Sequence, residues 1–192
     1  MARLAYVALK VSTETWVSVG FPKGTWRLDA ICVSIEESKG APSLDAGILD
    51  HDGELNVGGL HVADEQRLCT GSDNALGLES IDHLMVRTRE PESTLQTLSR
   101  SFGVLISSDE NGERSVWLDS VRIDMVPAPE LSVPAELWGV AFRVSDIDLV
   151  FARLGGEVIG APKAARQRGQ RVAVFRGGAE LGLPTALVDL RG

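Results

Sequence analysis

Ile81-Asp82-His83-Leu84-Met85-Val86-Arg87 is the stretch on which the reading of this chain turns: a short apolar strand pattern with one histidine near its start. Helix-start signals follow at once, with Pro91 in the first turn. Leu95, Leu98 and Phe102 then recur at helical spacing, and Gly103 closes the helix. Three strand patterns come next, at residues 104–106, 115–118 and 121–126. The first two are joined by a turn at Asn111-Gly112, and Asp119-Ser120 separates the last two. The order is strand, helix, three strands.

The same order then returns. Pro127, Pro129 and Pro134 mark a connector, and residues 138–144 read as a strand. Ser145 or Asp146 caps a helix whose apolar face holds Ile147, Val150, Phe151 and Leu154, and Gly155-Gly156 ends it. Strand candidates at 158–159, 172–176 and 185–190 complete the unit. The repeat has a period of about 55 to 60 residues, in which His83-Leu84-Met85-Val86-Arg87 corresponds to Gly139-Val140-Ala141-Phe142-Arg143.

Upstream, residues 4–11 have the apolar density of a strand, and Ser12 or Thr13 could cap a stunted helix running through Trp16 toward Gly20. Residues 26–35 read as a second, β-branched strand, followed by a polar loop over 36–42. Residues 44–49 and 55–62 suggest a hairpin around Asp52-Gly53, and a polar linker that includes Thr70-Gly71-Ser72-Asp73-Asn74 follows. Val7-Ala8-Leu9-Lys10-Val11-Ser12 matches Val140-Ala141-Phe142-Arg143-Val144-Ser145 in residue type. Leu28-Asp29-Ala30-Ile31 likewise matches Leu118-Asp119-Ser120-Val121. The expectation is an N-terminal part, residues 1–76, that is a trimmed counterpart of a C-terminal domain, residues 77–192. The alternative is an unrelated β-rich extension.

Composition narrows the function classes. A net charge of −8 over 192 residues lacks the basic face that nucleic acid requires, so no nucleic-acid partner is expected. No apolar run reaches the roughly 18 residues of a membrane span, so no membrane partner is expected and the cytoplasm is the default compartment. Cys32 and Cys69 have no CxxC or histidine companions and read as free thiols, with Cys32 in a strand. No GxSxG, P-loop or strand-anchored GxGxxG is present.

Two tandem strand-helix-strand-strand-strand units, the first opening on Ile81-Asp82-His83 and the second ending in the strand after Pro184, resemble the vicinal oxygen chelate superfamily. That group includes glyoxalase I, extradiol dioxygenases and the fosfomycin- and bleomycin-resistance proteins. The resemblance covers residues 81–190, and the stretch from Gly160-Ala161-Pro162 to Leu181-Gly182-Leu183-Pro184 is similar to glyoxalase-like bacterial proteins. It implies an α+β fold in which paired βαβββ modules, residues 81–127 and 137–190, form a curved mixed sheet with helices on its outer face. It also implies a homodimer, and metal ligands on the first and last strand of each module, facing the concave side.

Strand alternation tests that implication. His83, Met85 and Arg87 share one face, as do Arg122, Asp124 and Val126, so His83 and Asp124 fall where two ligands would fall. The second module offers only Gly139 and Ala186 at its equivalent positions. A divalent metal wants about three protein ligands, so a metal would need His51, His61 or a partner subunit to complete the set. Without metal, His83 and Asp124 could act as base and orienting carboxylate, or stand as a structural pair. Arg143, Arg122 and Arg87, with Trp138 beside them, are the candidate ligand contacts, because a charge on the concave face needs a carboxylate or an anionic ligand. Lys163, Arg166, Arg168, Arg171 and Arg176 form a basic island that could close on a carboxylate or phosphate, or simply balance nearby acids.

The leading expectation is a small-molecule-binding protein with an incomplete metal site and a small ligand, anionic if the arginines contact it. The alternatives are a metal-dependent lyase, isomerase or dioxygenase using His83 and Asp124, and a dimeric interaction module with a vestigial cavity. Whether the protein is an enzyme is left open by the sequence.

Overall fold

In this computed structural model, which describes residues 2–49, 57–63, 69, 76–176 and 181–191, the elements follow in chain order. The N-terminal part holds β1 (Arg3–Val11), α1 (Thr13–Ser18), β2 (Thr25–Leu28), β3 (Ile31–Glu37), β4 (Ser43–Leu49) and β5 (Leu60–Val62). The first module of the C-terminal part holds β6 (Leu78–Thr88), α2 (Pro91–Phe102), β7 (Ile106–Ser108), β8 (Arg114–Leu118) and β9 (Val121–Pro127). The second holds β10 (Ala135–Val144), α3 (Ile147–Leu154), β11 (Lys163–Ala164), β12 (Arg171–Val174) and β13 (Thr185–Asp189). The architecture is α+β, as the resemblance implied.

Strand order is β2-β3-β1-β4-β5 in the first sheet and β7-β8-β9-β6-β10-β13-β12-β11 in the second. The five strands of the first match β8-β9-β6-β10-β13 of the second in both order and sense. β1 and β3, like β6 and β9, are parallel; β1 and β4, like β6 and β10, are antiparallel; β4 and β5, like β10 and β13, are parallel. The turns agree as well. Asp29 and Asp119, the only non-glycine residues with positive φ among those described, sit at the same place in their hairpins, at 54° and 55°. Within this frame β1 takes the place of β6, although its sequence most resembles that of β10.

The helices end where side-chain chemistry says they should. Ser12 accepts from the Thr15 N–H, and Asp146 accepts from the N–H groups of Asp148 and Leu149 at 3.0 and 3.1 Å. Gly103 closes α2 in the left-handed region, at φ 65°. Helices α2 and α3 pack on one face of the eight-stranded sheet, where Leu84, Val86, Val140 and Phe142 are fully buried. One contiguous core includes residues of both sheets. Phe21, just after α1, stacks on Trp16, Phe142 and Phe175 at centroid distances of 4.5, 5.6 and 5.6 Å, and the Trp16 indole donates to the Leu181 carbonyl at 2.8 Å. Gly58 and Gly59 staple the sheets together. Gly58 exchanges backbone hydrogen bonds with Ala135 and Leu137, while the Gly59 carbonyl accepts from Ala46, and a Cβ on Gly59 would overlap the Leu44 carbonyl.

Several expectations are corrected. Residues 26–35 are not one strand: Asp29 turns the chain, and β2 pairs antiparallel with β3. Strands β4 and β5 pair in parallel, so they are not the arms of a hairpin; the Asp52-Gly53 turn lies outside the described residues. Residues 158–159 form only an isolated bridge, Ile159 to Phe175, and the outermost strand is β11. Cys32 and Cys69 form a disulfide with a Cα–Cα distance of 5.8 Å. Their separation of 37 residues carried no signal of this, because only the fold brings residue 69 back to β3.

Candidate ligand site on the concave face

The face of the eight-stranded sheet opposite the helices carries the candidate residues. In register across it run Trp117, Arg122, His83, Ala141 and Ala186, and beside them Ser115, Asp124, Met85 and Gly139. The two outer edges of the sheet reach each other: Arg166 pairs with Glu113, and the Asn111 side-chain amide donates to the Arg166 carbonyl at 3.4 Å. Helices fill the other face, so the edges can meet only around the side that holds His83. That side is therefore the concave one.

A residue that strict alternation would put on the face of Leu84 and Val86 completes the site. The pairing of β6 with β10 slips between Ala141 and Phe142, which oppose His83 and Ile81, so Asp82 is an extra residue in a bulge. Its side chain joins that of His83. Asp82 Oδ2 lies 2.9 Å from His83 Nδ1, and Asp82 Oδ1 accepts from Arg143 Nη2 at 2.6 Å. Burial pushes the Asp82 carboxyl up, but the hydrogen bonds from His83 and Arg143 outweigh it and hold the group below its ordinary value of 3.8. An ionised carboxylate only accepts, so in the neutral imidazole this contact assigns the proton to Nδ1 and leaves Nε2 with its lone pair. The sequence signal for Asp82 was a carboxylate inside an apolar strand.

The expected pairing of His83 with Asp124 is thus replaced. Asp124 Oδ2 is 3.9 Å from His83 Nε2, and both Asp124 oxygens accept from Arg122, at 2.7 and 2.8 Å. Arg122 Nη2 also lies 3.3 Å from His83 Nδ1. Arg122, buried at 8% exposure, is spent on Asp124 in a two-pronged pair. Arg143 uses one nitrogen on Asp82 and keeps a third of its side chain exposed. Arg87 and Trp138 make a separate cluster: the guanidinium lies 5.3 Å from the indole centroid and pairs with Glu136. Met85 lies between the two groups along β6.

The donor set does not fit a divalent metal. His83 and Asp124 are two donors, and Asp124 already carries a guanidinium on both oxygens. Gly139 and Ala186 supply none, and no group of three His, Cys, Asp or Glu side chains that could hold an ion exists among the described residues. His61 cannot complete the set, because it lies on β5 of the other sheet with its Nε2 against the Tyr6 hydroxyl. His51 is outside the described residues. The basic island is partly accounted for. Arg171 holds buried Asp189 with two nitrogens, at 3.1 and 2.6 Å, and Asp148 with a third, and Arg166 closes on Glu113.

No known family model matches the sequence, and no curated protein does. Solved structures do match the fold. A xylose isomerase-like TIM barrel/4-hydroxyphenylpyruvate dioxygenase fusion protein aligns with 99% of this chain at a TM-score of 0.63 and 11% identity, and the chain spans 49% of its length. Methylmalonyl-CoA epimerase from Mycobacterium tuberculosis aligns with 64% of this chain and 92% of its own, at 0.47 and 15%. A variant of the Streptomyces coelicolor enzyme of that name aligns with 58% and 94%, at 0.43 and 17%. No helix among the described residues is long and apolar enough to cross a membrane.

Proposed function

We propose that this chain, which has the fold of the vicinal oxygen chelate superfamily, is a small-molecule-binding protein that takes a small anionic ligand on the concave face of its eight-stranded sheet. The observation that carries the reading is Arg143: it is half-buried, committed to Asp82 through one nitrogen only, and set beside His83. A guanidinium with donors to spare in a partly dehydrated site prefers an oxyanion. The test is a thermal-shift and calorimetric comparison of phosphate, sulfate, acetate and benzoate on the wild type and on Arg143→Ala. At least one anion should raise the melting temperature of the wild type, and the substitution should weaken its binding by about tenfold or more. If no anion shifts the wild type, or the variant binds equally well, the reading fails.

A second reading, proton transfer, is favoured by the orientation of His83. Asp82 fixes the Nδ1 proton and would stabilise an imidazolium, while Nε2 is left as an acceptor on the ligand face. In that reading Arg143 holds the negative charge of the substrate, and the chain's own residues supply both base and counter-charge.

A further inference from the structure

The eight-stranded sheet ends in two short edge strands, β7 of three residues and β11 of two, which do not pair with each other. Each edge leads into a turn that is satisfied internally. Asp109 accepts from the N–H groups of Asn111 and Glu113 at 2.9 and 2.8 Å. On the other side the Ala165 N–H donates to the Gln170 carbonyl at 2.9 Å, and Gln170 donates to Gln167. Two preorganised tips therefore meet, and what joins them is the Arg166–Glu113 ion pair and the long Asn111–Arg166 hydrogen bond. Both partners of the ion pair are mostly exposed, at 77% and 54% of their side chains. Such a pair is weak and screened by salt. The charges are segregated by module, the acid on the first tip and the base on the second. The carboxylate on which the basic island closes belongs to the chain itself.

We infer that this seam is the way in to the concave face and that Arg166 with Glu113 is its latch, opened by ionic competition. The inference rests on reading that face as the ligand face. His83 is a built-in reporter, since its side chain is only 16% exposed and belongs to the face around which the two edges meet, whereas His61 is on the other sheet. Diethyl pyrocarbonate acylates accessible neutral imidazoles, and peptide mass mapping separates His83 from His61. Glu113→Arg should speed acylation of His83 by about two- to fivefold, the range that losing a surface pair allows, and leave His61 unchanged. Adding Arg166→Glu, which restores opposite charges, should return the wild-type rate. Salt at about 0.5 M, where the Debye length is about 4 Å, should raise the wild-type rate toward that of the single variant. Equal His83 rates in all three proteins, with and without salt, overturn the latch. If the rates follow the charges while no anion produces a melting shift that depends on Arg143, the latch stands and the anion reading alone is lost.

Discussion

The two sheets share one frame and fill it differently. Across the first run Arg27, Cys32, Tyr6, Gly47 and His61; at the same register positions of the second run Trp117, Arg122, His83, Ala141 and Ala186. In the first sheet the middle of the row is closed, while Arg27 and His61 at its ends are exposed. The Tyr6 ring lies across Gly47 to reach His61, which is possible only because residue 47 has no Cβ, since one built there would overlap that ring, and Cys32 is bonded to Cys69. In the second sheet the row holds Arg122 and His83, with Arg143 and the carboxylates of Asp82 and Asp124 beside it, and part of this group is open to solvent. Strand order alone therefore says little about chemistry, which is decided by the side chains placed on the common lattice. The first sheet spends the middle of its row on packing, and the second puts Arg122 and His83 there.

The largest test of that contrast is the disulfide. Reducing Cys32–Cys69 should lower the stability of the chain by about 2–4 kcal/mol in chemical denaturation, through the freedom regained by the unfolded chain. Hydrogen exchange should rise in β1 and β3 while β6 and β10 keep their protection. Equal exchange in both sheets would mean that the closed row does not depend on the bond. Gly47→Val comes next: displacing the Tyr6 ring should cost about 1–3 kcal/mol by overpacking, and a neutral result would remove the argument for the glycine.

The smallest effect belongs to the polar row. The carboxyl of Asp82 has its folded-state pKa below 3.8, so the stability it confers is fully present above that value and is lost as pH falls through the depressed folded value. Asp82→Asn should lower stability at neutral pH by about 1–2 kcal/mol and flatten the loss below pH 3.8. Wild type and variant converging only above neutral pH would contradict this sign. Asp189, which burial raises but Arg171 pulls lower, contributes in the same acid window and should be untouched by the substitution.

Much of this could be read from residue types. The helix ends were legible because Ser12, Pro91, Gly103 and Asp146 act within one turn of where they stand. The shared turn was legible because Leu28-Asp29-Ala30-Ile31 and Leu118-Asp119-Ser120-Val121 match in residue type and make the same local bend. The site was only half legible. Alternation placed His83, Arg122, Asp124 and Arg143 on one face, but it assumed an unbroken ladder. The bulge at Asp82 exchanged the partner of His83, and Arg122 took the one that had been expected.

The sequence by itself determined the helices, most of the strands and the apolar face of each, since these depend on neighbours a few residues apart. Tertiary structure decided what depends on the register between distant strands: the parallel pairing of β4 with β5, the union of Cys32 with Cys69, and the meeting of Arg166 with Glu113. The same holds for β6 and its His83. Its histidine was visible from the start, but its true companion is the residue just before it, turned to the same face by a slip in pairing that only the opposing strand could impose.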